Sequence, residues 1–177
     1  RLATQVEFLD KNPEYGAIFG QVSIVGGNGE SLPLIERRRM EEIFVQENRS
    51  QGKWLRLCFT VGNRLAATTH MIRKKCMDDV GTFDNRFRQI PDFFLWSQLL
   101  KKYNIYVSEK SLVFGRIRPG ENASSATHPN RVRGMNEYFM MAKSFFDGVS
   151  DELLLDGFSD LMVNPHPPTK EHFDIEK

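Results

Sequence analysis

Residues 1–30, RLATQVEFLDKNPEYGAIFGQVSIVGGNGE, decide the fold class. Leu2, Val6 and Leu9 recur at helical spacing. Asn12-Pro13 then ends the pattern, because the residue before a proline is pushed out of the helical region. From Gly16 to Val25 the residues are β-rich, with apolar side chains on both parities, which is the pattern of a strand covered on both faces. Gly26-Gly27-Asn28-Gly29 closes that strand with a turn. A helix feeding a doubly covered strand predicts an α/β fold.

Working outward, Glu36–Glu47 carries Met40, Ile43 and Phe44 on one stripe and predicts an amphipathic helix after Pro33. Trp54–Thr69 reads as extended or irregular, Lys74–Val80 as a short helix ended by Gly81, and Thr82–Pro91 as a polar loop. Between Asp92 and Tyr103, the residues Trp96, Leu99, Leu100 and Tyr103 give the clearest helical period in the chain. Two strands are expected, Ile105–Val107 and Leu112–Ile117, before a Gly, Asn and Ser rich loop at Pro119–Thr127. Beyond it Val132, Met135, Phe139, Ala142 and Phe146 define one helix, and Leu154, Phe158, Leu161 and Met162 a second after Ser150. Together they predict a helical hairpin. Pro165, Pro167 and Pro168 break it, and Thr169 caps a last helix running to Lys177.

A chain of 177 residues suits one domain that buries roughly two-thirds of its unfolded surface. With 40% hydrophobic and 27% charged residues the composition is that of a folded globular protein. The net charge of +1 supplies no field that would gather a phosphate backbone or anionic lipid, which disfavours a nucleic-acid binder. The basic triplets Arg37-Arg38-Arg39 and Arg73-Lys74-Lys75 read as solvated faces, with a local phosphate contact as the alternative. Cys58 and Cys76 match no zinc or disulfide framework and read as buried, reduced thiols. No run is long enough to span a membrane, and no leader pattern opens the chain. Because Arg1 falls inside a helical pattern, further sequence is expected before it. Cytoplasmic residence is the default.

Asp92 is the acidic residue that stands out. It starts a helix whose apolar stripe includes Trp96, so its carboxylate lies at the border of the core. Two readings stay open: a helix-start aspartate favoured by the positive end of the dipole, or a general base whose pKa is raised by partial burial. His70 with Asp78 and Asp79 matches no ligand spacing, so no metal site is expected within the chain. There is no phosphate loop, nucleophile elbow or Cys-x-x-Cys pair. Asn48-Arg49-Ser50 and Asn122-Ala123-Ser124 match the glycosylation triplet, which matters only in a secretory compartment.

The order of segments resembles one family. The opening stretch, with its phrase NPEYG, looks like the helix, strand and turn that follow the Asp-x-Asp metal motif of family 2 glycosyltransferases. GNRLAATTHMIRKKCMDDVGTFDNRF (62–87) is similar to the family's segment in which an Asn precedes a small-residue strand and a basic pair opens a helix. IPDFFLW (90–96) resembles its Asp-(aromatic)-x-Leu-Trp helix start, and VFGRIRPGENASS (113–125) its Arg-containing closing strand and Ser-bearing loop. These likenesses run in order through residues 1–127.

The resemblance implies a partial GT-A fold, an incomplete mixed sheet flanked by helices. Residues 1–127 would form the acceptor-side half and residues 128–177 a helical C-terminal extension. It implies Asp92 as the catalytic base of an inverting transfer, and Asn63, His70, Arg116 and Arg118 as substrate-binding residues. It also implies a nucleotide-sugar donor, a glycan or lipid-linked acceptor, and a divalent metal, Mg or Mn, bound by residues outside this chain. The fragment alone is then expected to be inactive and to self-associate through an exposed sheet edge near the apolar residues of Gly16–Val25. Pro91 stands where the family often has a second acidic residue, and Arg118 where it often has a His. Arg116 and Arg118 are placed to face a diphosphate or, equally, solvent. The competing reading is a non-catalytic interaction module that presents the apolar seam of its C-terminal helices to a partner.

Overall fold

In the computed structural model, residues 1–118, 127–163 and Asp174 are described. The expected last helix and the Asn122 triplet lie outside them, apart from Asp174. The architecture is mixed α/β: a three-stranded mixed sheet flanked by helices. Helix α1 (Leu2–Lys11) leads into strand β1 (Tyr15–Gly26), followed by α2 (Leu34–Phe44) and α3 (Gln51–Thr60). Strand β2 (Met71–Ile72), α4 (Lys74–Val80), α5 (Pro91–Lys102) and β3 (Asn104–Ile117) come next, then α6 (His128–Ala142) and α7 (Asp151–Phe158). No helix among the described residues is long and apolar enough to cross a membrane.

β1 is the central strand, antiparallel to β2 and parallel to β3. Residues 16–20 are buried continuously, as the doubled apolar pattern predicts, and the later residues alternate. The two strands expected after α5 are one. The register jumps from Gly20 opposite Ser108 to Gln21 opposite Ser111, so a bulge at Glu109-Lys110 interrupts the apolar pattern without ending the strand. Ala17, Ile18, Phe19, Val22 and Ile24 of β1 lie in the core; among the described residues the two-residue β2 pairs only Ala17 and Ile18 on one side of β1, and β3 forms the opposite edge of the sheet. Part of that β3 edge is capped. The Asn48 amide donates to Val107 O at 2.8 Å and its Oδ1 accepts from Val107 N at 2.6 Å, as a neighbouring strand would. The amide nitrogen a glycan would need at this triplet is thus already engaged.

The segment expected to be irregular after Trp54 is helix α3 through Thr60. It buries Trp54, Leu55 and Cys58, and burial pushes the Cys58 thiol up to about 12. Both cysteines are free and buried. Arg73 does not belong to a solvated face. Its guanidinium donates to the carbonyls of Leu9, Asn12 and Tyr15, which satisfies the open C-terminal end of α1. Lys74, by contrast, is exposed and pairs with Asp78.

The tail is not a hairpin closed on itself, because α7 packs chiefly on α3. Met141, Phe145, Val149, Leu154 and Phe158 join Phe19, Trp54, Trp96 and Leu99 in one apolar cluster. α3 and α7 meet at two glycines. A Cβ on Gly157 would lie 2.7 Å from the Gly52 carbonyl carbon, and one on Gly52 would lie 2.6 Å from Asp156 Oδ2. Asp156 completes the joint by accepting from Ser50 Oγ at 2.9 Å and Gly52 N at 2.7 Å. Gly157→Ala forces the helices apart, so urea unfolding should show a loss of about 1–3 kcal/mol. An unchanged midpoint would mean that the two backbones are not in contact.

Candidate functional site: the Asp92 carboxylate

α5 begins at Pro91, whose fixed φ suits the first helical position and whose missing N–H costs nothing there. Asp92 follows in the first turn, where the helix dipole favours an anion. The next residues sink into the core: Phe93, Leu95, Trp96, Leu99 and Leu100 are all buried. Asp92 is therefore fixed half-buried at the core's edge.

Its two oxygens are each engaged once. Oδ1 accepts from the Phe93 backbone N–H at 2.8 Å, and Oδ2 accepts from Asn63 Nδ2 at 3.1 Å. Asn63 is itself oriented, because its Oδ1 accepts from Leu65 N at 3.0 Å. Among the described residues Asp92 forms no ion pair. Burial raises its pKa above the ordinary carboxylate value. The Phe93 and Asn63 hydrogen bonds and the field of His70 offset only part of that rise.

His70 lies on the same side. Its Nδ1 meets Ala67 O, a contact that requires the proton on Nδ1 and leaves Nε2 free to accept in the neutral ring. The imidazole packs 5.0 Å from Trp96 and 6.4 Å from Phe19, centroid to centroid. The segment carrying it is tied to α1 through the buried Gln5, whose Nε2 donates to Thr69 O at 2.7 Å.

Two residues of α6 that sequence reasoning missed also bear on this place. The Tyr138 ring sits 5.7 Å from Phe93, and a Cβ on Gly62, next to Asn63, would lie 3.5 Å from its hydroxyl. Burial, and then the charge of Asp92, pushes the Tyr138 phenol up. Glu137 is buried, and its carboxylate accepts from the N–H groups of Arg88, Gln89 and Ile90 at 3.0, 2.7 and 3.1 Å. The one available signal was the spacing Gly134, Glu137, Met141, Phe145, a helical stripe hidden by the glutamate within it. The stripe read from sequence instead leaves Val132, Met135 and Phe139 exposed. A cavity of about 660 Å³ lies behind Tyr138 and Phe93, walled by Phe59, Met135, Phe139 and Phe145.

The structure thus brings Asn63, His70 and Asp92 together. Arg116 and Arg118 lie elsewhere, both exposed at the end of β3. Phe19 packs on Trp96, one turn from Asp92, whereas Arg116 is registered on Val25, six residues further along β1, an axial travel of about 20 Å. Arg118 lines a separate cavity of about 520 Å³ with Gly26, Gly27, Asn28 and Glu30.

Among the described residues no three His, Cys, Asp or Glu are grouped to hold a metal ion. Asp78 is paired with Lys74, and Asp79 with Lys102 and the Tyr103 hydroxyl. No protein-family model matches the chain, and no curated protein matches it.

Proposed function

We propose that this chain is the acceptor-side part of an inverting, sugar-nucleotide-dependent glycosyltransferase of the GT-A type, with Asp92 as its base. The observation that supports this reading best is the Asp92 carboxylate itself: half-buried, oriented by Asn63, raised in pKa and in no ion pair among the described residues. Each of its oxygens keeps a lone pair beyond the hydrogen bond it already accepts. An acceptor hydroxyl placed there gives its proton to Asp92 while its oxygen attacks the anomeric carbon. The bond to the nucleoside diphosphate breaks on the opposite face, and the configuration inverts.

The His70 ring and the Asn63 amide are the groups best placed to hold acceptor hydroxyls beside the base. The sugar nucleotide and a Mg or Mn ion would be held by residues outside this chain, and the chain alone is expected to be inactive. In this reading Arg116 and Arg118 would meet donor phosphates or solvent at a distance from the base. Cytoplasmic residence, peripheral to a membrane if the acceptor is lipid-linked, belongs to the same proposal.

The test uses the whole protein with a panel of nucleotide sugars and follows the anomeric configuration of the product by NMR. Inversion is expected, and transfer with retention would overturn the reading. A non-catalytic interaction module is the second reading, favoured by the exposed row Val132, Met135 and Phe139 on α6 beside Phe59. The same assay separates the two, because such a module transfers nothing.

A further inference from the structure

The loop before α5 ends in three consecutive N–H groups, those of Arg88, Gln89 and Ile90, that require acceptors. Ile90 is the residue on which α5 starts, its carbonyl accepting from Phe94 N at 3.0 Å. Three donors converging at a helix entrance could be left to water. Here they converge on one side chain from a distant helix: Glu137 Oε1 takes Arg88 N, and Oε2 takes Gln89 N and Ile90 N. Glu137 is 4% exposed and forms no ion pair among the described residues, so its charge rests on backbone dipoles. A second tie runs alongside, Gln89 Nε2 donating to Asn130 Oδ1 at 3.3 Å.

This clasp stands two residues from Asp92, with only the stiff Pro91 between Ile90 and the carboxylate. On the other side of Asp92, the neighbour of Glu137 packs its phenol ring on Phe93. α6 therefore grips the start of α5 on both flanks of the carboxylate. Apolar burial alone does not explain this use of α6, since its row Val132, Met135 and Phe139 faces outward. A buried carboxylate is also a costly way to fasten a helix unless its geometry matters.

We propose that Glu137 is a positioning residue for Asp92: by clasping residues 88–90 it fixes, through Pro91, the depth and direction at which the Asp92 carboxylate meets Asn63. Its significance for catalysis rests on the reading of Asp92 as base, but the placement does not. α6 is then an integral part of the site.

Glu137→Asp tests this, because it keeps the charge while shortening the reach to the three N–H groups. Glu137→Gln, which keeps the length but loses one acceptor, is measured beside it. The readout is the titration midpoint of the Asp92 carboxyl, followed by ¹³C NMR in aspartate-labelled protein, with His70 and Tyr138 as the other titratable groups acting on it. Both variants should loosen the entrance of α5, admit water, and measurably lower the Asp92 midpoint toward the ordinary carboxylate value. Ile24→Ala, a cavity variant toward the far end of β1 in a separate apolar cluster, should leave it in place. If the Glu137 variants lose stability while the Asp92 midpoint stays put, or if Ile24→Ala moves it equally, Glu137 is only a fastener and the proposal fails. A shift confined to Glu137→Gln would mean that charge rather than position is at work, which also overturns it. In the whole enzyme, kcat should fall in Glu137→Asp with little change in donor KM, and the Asp92→Asn background should show no further loss. A moved midpoint with unchanged turnover would uphold the placement and count against Asp92 as base.

Discussion

Trp96→Ala should lower the free energy of unfolding by about 3–5 kcal/mol, a large part of the roughly 5–15 kcal/mol that holds a domain of this kind together. Trp96 is completely buried, and its ring meets Phe19 of the central strand edge-on at 4.9 Å and the imidazole of His70 at 5.0 Å. Truncation removes the side chain that joins sheet, α5 and His70, and the cavity left behind cannot close without moving them. Trp96→Phe should cost clearly less. It keeps an aromatic face toward Phe19 and discards an indole N–H that has no hydrogen-bond partner among the described residues. Urea unfolding monitored by circular dichroism checks both, and a Trp96→Ala loss below about 1 kcal/mol would contradict the packing described.

What was legible in the sequence follows from how strongly each segment's period was expressed. β1 and α5 were read from spacing because their buried residues are mostly apolar, and α1 and α4 because Pro or Gly marks their ends, although α1 buries Gln5 with Leu9 and leaves Leu2 and Val6 exposed. α3 was hidden. Gly52 weakens it locally and is required only by the backbone of α7, a contact more than 100 residues away along the chain. The bulge in β3 looked like a gap between strands because the sequence marks where pairing is disturbed, not whether it resumes. In α6 a charged residue occupied the buried stripe, so the apolar row beside it was taken as the inner face.

The site was partly legible. Asp92 was marked by residue type and helix position, whereas its bond to Asn63, 29 positions away, is created by the packing of α3 against α5. Spacing places Glu137 on a helical stripe with Met141 and Phe145, but nothing in composition or spacing points to Tyr138 or to the partners that Glu137 clasps. Those contacts join elements that the sequence assigns to different parts of the chain.

The raised pKa of Asp92 also sets how the fold responds to pH. The folded chain holds this proton more tightly than the unfolded chain does. The stability it contributes is therefore fully present below the unfolded value of about 3.9 and is lost as pH rises through the higher folded-state value. At neutral pH the ionised carboxylate weighs against the fold, so Asp92→Asn should leave the melting temperature unchanged or slightly raised. A helix-start residue valued only for its charge and capping behaves in the opposite way.

That difference makes Asp92→Asn in the whole protein the most direct measurement of the central claim. The asparagine keeps the shape of the side chain and an oxygen that can accept from Phe93 N or Asn63, but it cannot take a proton from an acceptor hydroxyl. With donor binding and Tm nearly unchanged, turnover should fall by about 10²- to 10⁴-fold, the usual worth of a positioned general base. A transfer rate near that of the parent protein, or a variant whose main defect is a lower Tm, would contradict the account and leave Asp92 as a structural residue at the start of α5.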